Sequence, residues 1–70
     1  MTLNQYRAAH GLSLEAFGKL VDRSKAQIHA IENSNYAPAK LAMAIERVTD
    51  GQVDAAFLNP DIAAARRPAA

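Results

Sequence analysis

Between Val21 and Ser24 the chain has only Asp22 and Arg23 in which to leave one helix and enter the next. Upstream, Ser13 is a good N-cap, and Glu15 lies near the positive end of the helix dipole. Phe17, Leu20 and Val21 then follow at helical spacing. Downstream, Ser24 and Gln27 have the spacing of a capping box. A link this short brings the two helices across one another, so that Phe17 and Val21 meet Ile28 and Ile31. Gly18 falls where they cross, which accounts for a small residue inside a helix where glycine costs about 1 kcal/mol against alanine. Asp22 falls where the turn wants a positive φ, which aspartate tolerates better than most residues.

The helix after the link, "SKAQIHAIENS", has only two large apolar residues, Ile28 and Ile31. The rest of it is polar or small. Either this is a poorly anchored surface element, or its bare face belongs to something else.

The rest of the chain is also helical, with no stretch alternating apolar and polar residues as a strand does. The expected fold is all-α, a compact four- to five-helix domain. A first helix begins with the Thr2–Gln5 capping box, turns Leu3 and Tyr6 inward and ends at Gly11. A fourth begins at Pro38, carries Leu41, Ile45 and Val48 on one stripe and ends at Gly51. A short fifth turn, "VDAAFL", is capped by Asp54 and stopped by Asn59-Pro60, with Val53, Phe57 and Leu58 folding back onto the core. Residues 63–70, "AAARRPAA", have no large apolar residue and are expected to fray as a flexible tail.

Seventy residues hold one domain. A chain this short buries a small fraction of its surface and is marginally stable. It has no cysteine, so disulfides and thiolate metal sites are excluded, and its two histidines share no ligand spacing. No cofactor is expected. No apolar run approaches a membrane span, and "MTLNQYRAAHG" has no signal pattern. The expectation is a cytoplasmic protein. There is no cysteine nucleophile, no glycine-rich phosphate loop and no paired carboxylate with a nearby histidine, so an enzyme is not expected. The net charge of +1 does not by itself point to nucleic acid. Residues 1–45 carry a net charge of +2 and residues 46–61 a net charge of −3.

Two stretches carry a family resemblance. "LSLEAFGKLVDRSKAQIHAIENS" is similar to the helix-turn-helix of the Cro/C1-type (XRE-like) bacterial and phage regulators. "APAKLAMAIERVTDGQVDAAFLNPDI" looks like the C-terminal half of Cro-like and YdaS-type small regulators, in the segments "AIERVTDG" and "LNPDI". Together they cover roughly residues 3–62. Four positions depart from the pattern. Leu14 stands where the family often has glutamine, Gly18 where alanine is common, Asp22 where glycine makes the turn, and Arg23 where an apolar residue seals it. These departures predict a looser turn or a rotated recognition helix.

The resemblance implies a lambda-repressor/Cro-like helix-turn-helix within a DNA-binding domain at 1–62, its helices at about 13–21 and 24–33. The second of these would be the recognition helix, placed in the major groove of double-stranded DNA. The base-contact candidates are Lys25, Ala26, Gln27, His29, Ala30 and Asn33. Gln and Asn pair bidentately with adenine, Lys donates to guanine, and alanine meets a thymine methyl. The phosphate-contact candidates are Ser13, Arg23, Ser24, Asn35, Tyr36 and Lys40.

Several of these residues have a second reading. Gln27 can complete the box with Ser24, His29 and the lysines can be solvated surface groups, and Tyr36 can pack over the end of the fourth helix. Glu32 reads as a salt-bridging residue, and Arg66 and Arg67 as part of the tail. The implied protein is a small nucleoid-associated repressor acting as a homodimer on a pseudo-palindromic operator. Its dimer surface is expected around Val53, Phe57, Leu58 and Ile62 where the core does not use them. The alternative is a module of the same fold that binds a protein, as an antitoxin or an inhibitor of another regulator does.

Overall fold

A computed structural model describes residues 1–67. They form six helices: α1 Leu3–His10, α2 Leu14–Val21, α3 Lys25–Ser34, α4 Ala39–Val48, α5 Ala55–Leu58 and α6 Pro60–Arg66. The described residues contain no strand, in agreement with the all-α expectation.

Local capping chemistry sets most of the helix ends. The Thr2–Gln5 box closes in both directions, the Gln5 N–H donating to Thr2 Oγ1 at 3.1 Å and the Thr2 N–H to Gln5 Oε1 at 2.9 Å. Gly11 takes a left-handed conformation, φ 64°, and its N–H returns to the last turn of α1. Asp22 and Asn35 are the left-handed residues after α2 and α3, with φ 57° and 52°.

The link between α2 and α3 is tight. The N–H groups of Asp22 and Arg23 both donate to the carbonyl of Gly18, the latter at 2.8 Å. Asp22 reaches the left-handed region without needing glycine, and both N–H groups of the turn are satisfied.

Phe17, Ile28, Ile45, Val53 and Leu58 lie at the centre of the core, with Leu3, Tyr6 and Leu41 around them. Tyr6 meets the edge of Phe17, ring centroids 6.1 Å apart. Helix α2 packs on α3 and on α4, and α5 packs between α4 and α6. The α3–α4 loop is fastened to the far end of the chain. The Ala37 N–H donates to the Leu58 carbonyl at 2.8 Å, and Asn59 Nδ2 donates to the Ala37 carbonyl at 2.9 Å.

Three sequence expectations are corrected. Asn59-Pro60 does not end the chain's helical structure. Asn59 is the N-cap of a sixth helix, its Oδ1 accepting the N–H groups of Asp61 and Ile62, and Pro60 occupies the first turn, where a missing N–H costs nothing. The count is therefore six helices, not four or five. Residues 63–66, expected in the tail, belong to α6, and Arg66 pairs with Glu46 and Asp54; residues 68–70 lie outside the described residues. Finally, Phe57, expected to fold back onto the core, stays 50% exposed, and Leu20, apolar and at helical spacing, stays 51% exposed. Neighbouring Leu58 and Val21 take the buried positions instead.

Candidate nucleic-acid interface

Helix α3 is anchored by its two isoleucines and by one ion pair. Ile28 and Ile31 are buried, and Glu32 on the same side meets Arg7 of α1. The guanidinium is bidentate, Nε to Oε2 and Nη2 to Oε1, and Nη1 reaches the Leu12 carbonyl at 2.9 Å. Hydrogen bonds from Arg7 hold the Glu32 carboxyl below the ordinary carboxylate range. Glu32 is thus a structural group, as the sequence indicates.

All six base-contact candidates on α3 are exposed. With about 100° of rotation per residue, Ala26, Ala30 and Asn33 point directly away from Ile28 and Ile31. His29 flanks them on one side and Gln27 on the other, with Lys25 at the edge. The two alanines make the centre of this face shallow. Asn33 Nδ2 lies 3.5 Å from His29 Nε2. Ser34, which the sequence reading passed over, is also exposed on α3 and donates its hydroxyl to the Ala30 carbonyl at 2.8 Å.

Gln27 does complete the capping box. Its Oε1 accepts the Ser24 N–H at 3.2 Å, and its own N–H donates to Ser24 Oγ at 3.2 Å. Its Nε2 amide protons remain for another partner, but a bidentate contact with adenine requires the Oε1 to leave the cap.

The six phosphate-contact candidates fall on three structural features. Ser13 and Ser24 are the N-caps of α2 and α3, and the hydroxyl of Ser13 accepts the Ala16 N–H at 3.0 Å. Arg23, half-buried in the turn, donates from Nη1 to the Asp22 carbonyl at 2.9 Å. Asn35, Tyr36 and Lys40 are exposed in and just after the α3–α4 loop, Tyr36 at 50%.

The cations divide into two sets. Arg7, Lys19 and Arg66 are paired, with Glu32, with Glu15 at 3.8 Å, and with Glu46 and Asp54. Among the described residues, Arg23, Lys25, Lys40, Arg47 and Arg67 have no ion-pair partner. Three of these five, Arg23, Lys40 and Arg47, line one open groove of about 450 Å³ between the α2–α3 turn and α4, with no carboxylate among the described residues of its wall. Arg47 was missed by the sequence reading. Its signal is the seven-residue step from Lys40, two turns along one helix face.

The proposed dimer surface is reduced by the core. Val53 and Leu58 are fully buried, Ile62 is partly buried, and Phe57 is exposed. Phe57 instead lines a shallow cavity of about 330 Å³ with Met1 and Gln5. No described helix is long and apolar enough to cross a membrane. Comparison of the chain with known protein families, curated proteins and solved structures finds no match.

Proposed function

We propose that this chain is a sequence-specific DNA-binding regulator of the Cro/C1 helix-turn-helix type, with α2 and α3 as the unit and α3 as the recognition helix. The observation that carries this reading is the division of α3 into two faces. Two isoleucines and Glu32 hold one face, and the other presents small and hydrogen-bonding side chains that the core does not use. Such a face meets a groove of base edges, with Ala26 and Ala30 allowing close approach and Asn33, His29 and Lys25 reading hydrogen-bond patterns. Unpaired Arg23 and Lys40, with the caps of α2 and α3, supply the phosphate contacts that set register. One such module covers little DNA, so the reading includes two copies on a pseudo-palindromic operator and repression by occupancy.

The test is fluorescence anisotropy of the full chain with a random duplex across a salt series, followed by selection of a preferred site from a random library. A DNA binder loses affinity steeply as salt rises. No binding even at low salt removes the reading. Survival of the sequence preference in the Lys25→Ala, Asn33→Ala double variant removes α3 as the recognition helix.

A second reading, a protein-binding module of the same fold, is favoured by one feature: the floor of the groove beside Arg47 is apolar.

A further inference from the structure

The groove between the α2–α3 turn and α4 has two kinds of wall. Arg23, Lys40 and Arg47 form its rim, and Val21, Leu41, Met43 and Ala44 form its floor. On α4, beside the buried Leu41, the groove is lined by Lys40, Met43, Ala44 and Arg47, at i, i+3, i+4 and i+7, one continuous stripe. The stripe puts a cation at each end, about 10.5 Å apart along the axis, with apolar groups between them. Met43 is 45% exposed. Its sulfur accepts a long contact from Arg66 at 3.5 Å, and its methyl end has no place in the core.

A sugar–phosphate ridge uses the three cations and leaves this floor unexplained. A ligand that uses both must be anionic at two points two helical turns apart and apolar between them. We infer that the groove docks an acidic amphipathic helix of a partner protein, laid along α4, with Asp or Glu at i and i+7 against Lys40 and Arg47 and apolar residues at i+3 and i+4 over Met43 and Ala44. Arg23 closes the groove from the turn and pairs with a further carboxylate. The charge complementarity is one-sided: three unpaired cations face the occupant, and among the described residues no acidic one lines the wall to repel it. Docking does not depend on the DNA-binding reading. Its consequence does: Arg23 and Lys40 are the phosphate contacts proposed above, so a docked acidic helix takes them from DNA and releases the operator.

The experiment is an amide-resolved NMR titration of the full chain with a capped, alanine-based helical peptide of about twenty residues carrying Glu at i and i+7 and Leu at i+3 and i+4. A random duplex and a peptide with Lys in place of Glu are run beside it. The expected result is shifts confined to Val21, Arg23 and the Lys40–Arg47 stripe with the Glu peptide. Met43→Gln and Arg47→Glu should each weaken that binding about tenfold, and the Lys peptide should bind Arg47→Glu better than the parent chain.

If the Glu peptide moves no groove amide while the duplex moves Arg23, Lys40 and Arg47, the groove is a phosphate strip and the inference is wrong. If neither moves them, it is also wrong, and the DNA reading is then judged on the α3 amides alone. Peptide binding that is insensitive to Met43→Gln overturns the role of the floor. Peptide binding without any duplex binding at low salt upholds the inference and removes the DNA reading.

Discussion

The carbonyl of Arg23 occupies the space in which a side chain at position 18 would begin. A Cβ built on Gly18 collides with that oxygen and lies 3.5 Å from Ile28. The obstacle is backbone, held in place by the hydrogen bonds that close the turn onto Gly18 itself, so it cannot rotate away. The glycine in the middle of α2 is what lets α3 start with only three residues between it and the end of α2.

Gly18→Ala is therefore expected to destabilise the fold by about 1–3 kcal/mol, although alanine is the better helix former by about 1 kcal/mol. Chemical denaturation measures this directly. A stability equal to or above the parent's would mean that the turn can shift.

The opposite sign is expected one turn later. Asp22 sits at φ 57° and ψ 48°, a region that disfavours any residue with a Cβ, and its carboxylate makes no hydrogen bond among the described residues. Asp22→Gly relieves that strain but loosens the unfolded chain, for a net gain of about 0.5 kcal/mol. This corresponds to a rise of about 2–4 °C in Tm. Asp22→Ala should lower Tm instead. The pair of variants in one thermal scan isolates the backbone term.

Loss of Arg7 leaves Glu32, which lies on the same side of α3 as Ile28 and Ile31, facing the protein without its partner. Arg7→Ala is expected to cost about 2–3 kcal/mol, and the Arg7→Ala, Glu32→Ala double variant less than the two single changes combined. Strict additivity in the double-mutant cycle would show that the two groups do not stabilise one another.

The Glu46 carboxyl is pulled from its ordinary 4.5 down to about 2, first by the hydrogen bonds from Arg66 and then by the Ala55 N–H at 2.7 Å. Its folded value lies below its unfolded value, so the stability it contributes is complete above about pH 4.5 and is lost as pH falls toward 2. The expected result is a Tm that declines across this window in the parent and declines less in Glu46→Gln. Parallel curves for the two proteins would exclude Glu46 as the group responsible.

Phe57 and Leu58 are neighbours with opposite assignments. Leu58 is 1% exposed and Phe57 is 50% exposed. Leu58→Ala is expected to cost about 2–5 kcal/mol, and Phe57→Ala well under half of that. Equal losses would mean that Phe57 is buried in solution, for instance in a contact between copies.

The local signals and the long-range ones divide along this boundary. The caps at Thr2, Ser13, Ser24 and Asp54, the stop at Gly11, the turn at Asp22 and the two anchoring isoleucines of α3 were legible in the sequence. Each depends on hydrogen bonds within about four residues or on a periodicity along one helix. The exposed face of α3 followed from them, because a helix with two apolar residues can bury only one side.

What the sequence left undecided needed partners that arrive from far along the chain. Asn59-Pro60 reads equally as a stop or as a cap followed by a first turn. It is a cap because the Asn59 side chain is fixed between Ala37 and the start of α6. The tail-like "AAAR" is the end of α6, where Arg66 reaches both Glu46 and Asp54, two groups that lie far away in the sequence. Leu20 and Phe57 each adjoin a second apolar residue, and it is packing in the folded chain that buries Val21 and Leu58 and leaves Leu20 and Phe57 half exposed. The groove was invisible for the same reason: Arg23 and Arg47 are separated by the whole of α3 and most of α4, and only folding the turn against α4 puts them on one wall.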